Sequence, residues 1–492
     1  MIFLYLSCLS TEQASNQEAS PSTNVQKPQH SPHKGSHPPQ KGAHPPSGGH
    51  PHKGGPVMGQ QKSFSVEPTY SWVGTASKEP KSIVLISLDT VRADRLSVYG
   101  GRAKTPNIQK IVDEGALCTQ AVTHFPETAL SHWSMMSGVM PLVHGNVPGN
   151  GGSIYKGPTL AEITKKHGYQ TAAFIGGVTL TDSASGLSRG FDVYDDQFTF
   201  SHEDMSRKGA EVTNRAVRWI QKQKQNNRPY FAFVHYFDAH FPYTPPAPWD
   251  TAYDANYTGK INGTDTVLAP YRDGKKKPSA RDVEHVLALY DGEISALDAT
   301  IAPLLNVLDK DTVVAITSDH GESFEHGYYF NHRAGLWDSV MHVPLVIRGP
   351  GIDSKTVIDR QVGLIDVTPT LLSVAGLRAD SRMQGSNIFS DKKHDVYFAH
   401  TDPWMPQPQF AARTLAWKWI AQENSNLVYN IGTDPQESKQ ESSVPSELQN
   451  AKTQAASLLE SLSSHQASPP RPRTISDEEC ARLQLLGYVQ CQ

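Results

Sequence analysis

The chain has 492 residues, more than one average domain, so a large core with appendages is expected. A formal net charge of −4 without any dense basic stripe argues against a nucleic-acid partner. Four cysteines (Cys8, Cys118, Cys480 and Cys491) are too few and too scattered for a disulfide framework, and Cys480 and Cys491 could pair or stay free.

Met1 to Ser7 form a short apolar run that stops at Cys8. Residues 1–8 resemble the end of a bacterial lipoprotein signal, which implies lipidation of Cys8 and a periplasmic or membrane-anchored protein. No basic segment precedes the run, so an incidental apolar start, or a true start further upstream, stays open. No stretch of about 20 apolar residues exists to span a bilayer. Residues 9–69 are Ser, Gln, Pro, His, Lys and Gly with almost nothing apolar to bury, and a disordered tether is expected. Its histidines could scavenge metal weakly, but a flexible spacer is the better reading.

Residues 70–394 alternate strand and helix. Ser82 to Leu88 is a continuous β-rich run of the kind buried on both faces of a parallel sheet. Thr105-Pro106-Asn107 opens a helix with Thr105 as its cap, and Thr159 opens another that Gly168 stops. Strands are expected at Gln170 to Ile175, Tyr230 to Phe237 and Thr312 to Ser318, and helices at Lys208 to Lys224 and Asp282 to Leu308. The pattern predicts an α/β fold with a doubly wound, mostly parallel sheet and helices on both faces. Residues 395–492 change to short strand-like pieces around Arg413 to Trp419, then helices at Gln449 to Leu462 and Ser476 to Leu486. A small C-terminal α+β subdomain is expected there.

In open α/β sheets, ligands gather beyond the carboxyl ends of the strands. Three predicted strands end in metal-ligand types: Asp89, then Asp238 with His240, then Asp319 with His320. One such carboxylate is often only a helix cap, but three converging tips suit Zn²⁺, Mn²⁺ or a similar cation. Thr128 precedes a helical run that closes at Gly138, where a hydroxyl would meet free amides and the helix dipole. On its own, that threonine would be read as an N-cap. His235 inside its strand reads as a core residue, and Tyr290 to Glu293 as structural. His124 reads as a loop residue that could line the pocket, and Glu322 and His326 as groups supporting the ligands.

Several runs together resemble the sulfatase family of the alkaline phosphatase superfamily. They are Ser87 to Gly100 with Thr105 to Ile108, Thr128 to Gly138, Gly186 to Asp196, Phe237 to Pro246, Thr317 to Gly327, Val343 to Gly351 and Ala481 to Val489. The match spans about Ser82 to Val489 in the family's order. The resemblance implies that Asp89, Asp319, His320 and the Thr128 oxygen hold a divalent metal, and that Thr128 is the nucleophile. It places His132 where sulfatases carry their signature arginine. His240 falls on a histidine near the transferred group, and His332 and Arg333 on a lysine or histidine position. Asn150 and Arg333 are the implied substrate-binding residues.

The departures from that pattern carry the functional reading. Sulfatases build a formylglycine from cysteine or serine, whereas oxidation of threonine would give a ketone, so no formylglycine is expected. Thr90 replaces a ligand carboxylate and His320 an asparagine, which favours Zn²⁺ or Mn²⁺ over Ca²⁺ or Mg²⁺. Gly176-Gly177 stand where a lysine-containing element is expected. These changes point to a phosphodiesterase, phosphomonoesterase or phosphonate monoesterase working through a covalent threonine intermediate. Its substrate would be a small-molecule, glycan or lipid ester. A sulfuric ester hydrolase, a phospho-headgroup transferase and a non-catalytic binding protein remain the alternatives. A second metal on Asp238, His240 and His332 is a further possibility, and nothing in the sequence sets the oligomeric state.

Overall fold

A computed structural model describes residues 80–146, 155–198, 206–333, 335–392, 394–401, 408–422 and 425–463. The signal-like start, the tether, Asn150, Cys480, Cys491 and the helix expected at Ser476 to Leu486 lie outside the described residues. The strands are β1 (Ile83–Leu88), β2 (Ala116–Val122), β3 (Gln170–Phe174), β4 (Val193–Asp195), β5 (Tyr230–Tyr236), β6 (Val313–Thr317) and β7 (Ser323–Glu325). They continue with β8 (Tyr328–Asn331), β9 (His342–Arg348), β10 (Thr356–Gly363), β11 (Tyr397–His400), β12 (Phe410–Arg413), β13 (Lys418–Gln422) and β14 (Ser425–Tyr429). The longer helices are α1 (Pro106–Asp113), α2 (Thr128–Ser137), α3 (Gly209–Gln225), α4 (Asp265–Arg272), α5 (Ala280–Asn306), α6 (Val367–Val374) and α7 (Ser446–Ser463).

Eight strands form one sheet in the order β10-β2-β9-β6-β1-β5-β3-β4. β1 runs parallel to β5 and β6, β3 to β4 and β5, and β10 to β2; β9 alone runs against its neighbours β2 and β6. Alternation along β1 sends Val84, Ile86 and Leu88 to one core, with Val212, Ala216, Ile220 and Leu289 of α3 and α5. Ile83 and Leu85 enter the other core, with Trp133 and Met136 of α2 and Leu371 of α6. Helices therefore cover both faces of a sheet whose central strand is buried throughout.

Caps explain where the helix boundaries moved. The helix expected from Asp282 starts at Ala280, because Ser279 and Asp282 form a reciprocal capping box. Thr159 and Glu162 form the other box, at the start of Leu160–Lys166. Thr105 does not cap α1 through its side chain, since its hydroxyl meets Ser97 Oγ at 2.8 Å. The first amides of α1, from Asn107 and Ile108, instead donate to the Asp298 carboxylate at 3.0 and 2.9 Å.

The C-terminal region is an antiparallel sheet, β11-β12-β13-β14. On one side, Phe410, Ala412 and Trp419 pack with Leu448 and Ala451 of α7. On the other, Ala399, Ala411 and Ile420 pack on Leu336, Trp337 and Met341 of the main body. Among the described residues, no helix is long and apolar enough to cross a membrane.

Candidate active site

The chain leaves β1 at Leu88, and Asp89 is the next residue, its amide donating to Tyr236 O at 2.9 Å. Thr90 follows in the left-handed region at φ 59, a conformation that costs a β-branched residue about 1–3 kcal/mol. Contacts on every side hold it there. Its amide donates to Asp319 Oδ1, its hydroxyl to Asp89 O, and the Tyr290 hydroxyl donates to its carbonyl. Thr90 thus spends its polar groups on orienting the two aspartates.

Asp319 and His320 follow β6 on the neighbouring strand. Asp319 Oδ1 accepts the His320 amide at 2.9 Å as well as that of Thr90, which leaves Oδ2 bare. His320 directs Nδ1 to the Gly321 carbonyl at 2.9 Å, so its proton is spent there and Nε2 keeps a lone pair without a partner. Asp89 Oδ1 is likewise buried without a partner. Asp89, Asp319 and His320 each offer a ligand atom, and those atoms lie within 4.8 Å of one another. Three buried, unsatisfied acceptors facing each other fit a divalent cation, which is what the residue types had suggested.

The nucleophile candidate stands beside them. Thr128 is the first residue of α2, fully buried, with its hydroxyl 3.4 Å from Asp89 Oδ2. It is not the cap: Glu127 holds that place in extended conformation, and Gly138 closes the helix at φ 68. A hydroxyl on the first turn lies where the helix dipole stabilises negative charge. Ser131, one turn further, hydrogen-bonds Asp319 O at 2.7 Å and ties α2 to the ligand strand.

Electrostatics separate the two carboxylates. Burial, and then the Asp319 carboxylate, push the Asp89 carboxyl well above its ordinary range. Burial acts the same way on Asp319, but His320, His132 and His235 together outweigh it and hold Asp319 below that range. The two buried carboxyls are thus pushed in opposite directions, Asp89 up and Asp319 down.

His240 and His332 line up with His320. The His320 and His332 rings are 4.3 Å apart and the His332 and His240 rings 5.3 Å. His240 Nδ1 donates to Phe241 O and His332 Nδ1 to Glu322 Oε1, so each presents an Nε2 without a partner. Burial, followed by the neighbouring imidazole, lowers His240 to about 3 and His332 well below the usual value. Arg333 Nη2 lies 3.9 Å from Glu127 Oε1, beside the start of α2.

Three expected residues stand elsewhere. Asp238 Oδ1 accepts the Gly209 amide at the start of α3, while its Oδ2 is buried without a hydrogen-bond partner. Among the described residues, the ligand group of three contains Asp89, Asp319 and His320, and no second group includes Asp238. His326 stacks on Trp337 at 4.8 Å, away from the ligands. His132 is fully buried behind them, with Nδ1 on Thr128 O at 2.7 Å and Nε2 on Ser87 Oγ at 2.8 Å. Both its nitrogens are engaged, so it holds the Thr128 backbone.

The sequence reading missed His235. Its Nε2 lies 3.0 Å from Asp89 Oδ2, and burial lowers it to about 4, so the neutral ring donates its one N–H to the carboxylate. That bond turns Asp89 Oδ1 towards the ligand group. The register Ser87↔His235 was the signal, since it sets Asp89 and His235 on one face of adjacent strands, but it required knowing that β1 pairs with β5. Replacement of His235 by phenylalanine is expected to weaken divalent-metal affinity about 10- to 100-fold while the fold persists, as titration of the apo-protein would show. Unchanged affinity would remove His235 from the site.

A parallel sheet carrying a carboxylate–imidazole ligand group and a buried hydroxyl at its carboxyl edge defines a metal-dependent ester hydrolase. The family model "Sulfatase" matches residues 81–377, and "N-sulphoglucosamine sulphohydrolase, C-terminal" matches residues 324–465. The chain belongs to the sulfatase family. It is 25% identical to arylsulfatase K of Bos taurus over 410 residues, covering 70% of this chain and 75% of that protein. To arylsulfatase K of Homo sapiens it is 24% identical over 430 residues, covering 74% and 78%. The fold is similar to that of the phosphonate monoester hydrolase of Agrobacterium radiobacter, with TM-score 0.63, 19% identity and coverage of 78% and 96%. A protein solved with its substrate D-glucosamine-2-N,6-O-disulfate is equally similar, with TM-score 0.63, 18% identity and coverage of 80% and 100%.

Proposed function

We propose that this sulfatase-family hydrolase cleaves phosphate or phosphonate esters through a covalent intermediate on Thr128, outside the cytoplasm. The observation that carries the reading is the Thr128 hydroxyl, hydrogen-bonded to Asp89 beside three unpartnered ligand atoms. Threonine cannot give the aldehyde of a formylglycine, but its hydroxyl suits phosphoryl transfer as it stands. Asp89, Asp319, His320 and the Thr128 oxygen would hold one divalent cation, and the imidazole favours zinc or manganese. Such an ion lowers the pKa of a nearby hydroxyl and neutralises phosphoryl charge.

The chain's own residues supply the remaining steps. Thr128 Oγ forms the bond to phosphorus as its proton passes to Asp89 Oδ2, and the ester P–O bond breaks. The leaving alkoxide takes a proton from Nε2 of His240 or His332, which the ring first acquires from solvent when the ester binds. An anionic ester beside these rings raises their basicity, and Glu322 balances the charge on His332. Water then hydrolyses the phosphothreonine. His132 and His235 position Thr128 and Asp89, while Arg333 and Asn150 are assigned to the substrate's anionic group.

Sulfate-ester hydrolysis is the second reading, favoured by the likeness to arylsulfatase K. Elemental analysis should find about one zinc or manganese per chain. Nitrophenyl phosphate, a nitrophenyl phosphodiester and nitrophenyl sulfate assayed side by side should rank the phosphorus esters first. A clear preference for sulfate would replace the proposal with the second reading, and no turnover by the metal-loaded protein would leave a binding protein.

A further inference from the structure

Between β8 and β9, residues 335–341 form a strap across the site edge, and its two sides face different parts of the molecule. On its inner side, Gly321 N donates to Val340 O at 2.7 Å, Glu322 N to Ser339 O at 3.0 Å and Thr123 N to Met341 O at 2.9 Å. The strap thus fixes the turn that carries His320 and Glu322, and also the segment that leads to Thr128. The approach is close enough that a Cβ on Gly321 would lie 2.1 Å from Ser339 O.

On its outer side, the strap is held by the C-terminal sheet. Arg413 of β12 makes paired hydrogen bonds to the Asp338 carboxylate at 3.0 and 2.7 Å. Lys418 of β13 reaches Asp338 Oδ1 at 2.5 Å, Glu437 Oε1 at 2.6 Å and the Leu336 carbonyl at 3.1 Å. The Glu437 carboxylate accepts the Asp338 amide, and Gln409 Oε1 accepts that of Leu336. All four charged side chains of this cluster are buried, two cations against two anions. A buried pair of this kind is rarely a net source of stability compared with apolar packing, whereas its directional bonds fix geometry.

We propose that Lys418 and Arg413 are positioning residues for hydrolysis, acting through Asp338 and the strap on the His320–Glu322 turn, so that the C-terminal sheet completes the active site. The inference rests on the metal reading of that turn, yet it holds for whichever ester is cleaved. Nothing in it depends on Thr128 becoming phosphorylated.

The test is the double variant Lys418→Met/Glu437→Gln, which removes one cation and one anion and leaves the Asp338–Arg413 pair. It should stay folded, with kcat lowered about tenfold or more, KM within about twofold and weaker metal affinity. Lys418→Met alone leaves Glu437 buried without its cation and should fare worse. The second measurement is amide exchange in the metal-free full chain. The Gly321 and Glu322 amides should exchange about tenfold faster or more in the double variant, while those of β1 and β5 keep their protection. Wild-type turnover and wild-type exchange at Gly321 and Glu322 would overturn the proposal, as would an equal rise at every amide. Because the exchange arm needs no metal, failure of the metal reading and failure of this proposal come apart.

Discussion

Thr128→Ala should lower kcat/KM for any accepted ester by about 10,000-fold or more and leave metal binding within an order of magnitude. The hydroxyl sits at the first turn of α2, 3.4 Å from Asp89 Oδ2. Alanine removes the nucleophile and one of the four proposed ligand atoms but keeps the backbone carbonyl that His132 grips at 2.7 Å, so Asp89, Asp319 and His320 should stay assembled. Thr128→Ser should keep substantial activity, because it retains the oxygen and drops only a methyl group. Acid-quenched wild-type enzyme should carry phosphate on the peptide containing Thr128, seen by mass spectrometry, and the alanine variant should not. An alanine variant with near-normal turnover would end the covalent account while leaving the metal site standing.

Chelation should abolish activity and open a pH-dependent gap in thermal stability. Without metal, burial and the Asp319 carboxylate raise the Asp89 carboxyl well above its usual range. A raised folded-state value means a contribution to stability that is complete below the ordinary carboxylate range and is lost as pH rises through the raised value. The chelated protein should therefore lose stability as pH rises above the ordinary carboxylate range. A cation must displace the Asp89 proton to bind, so its affinity climbs with the same rise in pH. At a free concentration about 100 times Kd, binding contributes about 2.7 kcal/mol, and the gap in Tm should widen towards alkaline pH. Asp319→Asn, which halves the site's charge, should lose the gap and several kcal/mol of barrier lowering together. A gap that stays flat with pH would place the cation away from Asp89.

The parts of the site legible in the sequence share one property: each is announced by local chemistry. β1 is a run apolar but for Ser87, so the exit residue Asp89 could be read directly, and β6 delivered Asp319 and His320 in the same way. Thr159 declared a helix start, and Glu162 completes the capping box there. What stayed hidden depends on tertiary register. His235 looked like core because a histidine flanked by Val234 and Tyr236 is usually that, and only the β1–β5 pairing turns it towards Asp89. Asp238 misled for the converse reason, since a carboxylate at a strand exit serves an amide of the following packed helix as readily as a metal. The strap at residues 335–341 left no signal, because its partners Lys418 and Glu437 lie in a different sheet and in the loop after it, and its hydrogen bonds to Gly321 and Glu322 involve backbone.

The reversed direction of β9 governs where this molecule can vary. A strand parallel to β6 would have to be entered from the far edge, which would draw the intervening chain around the back of the sheet. Because β9 runs the other way, with Thr317 opposite Leu345 in the β6–β9 ladder, the chain leaves β6 and enters β9 at the same edge. The excursion between the two strands therefore starts and ends at the edge that carries Asp319 and His320. Lengthening or shortening that excursion remodels the surroundings of the ligand group while the sheet's ladder stays unbroken, which makes it the natural place for descendants of one ancestral sequence to acquire different ester preferences.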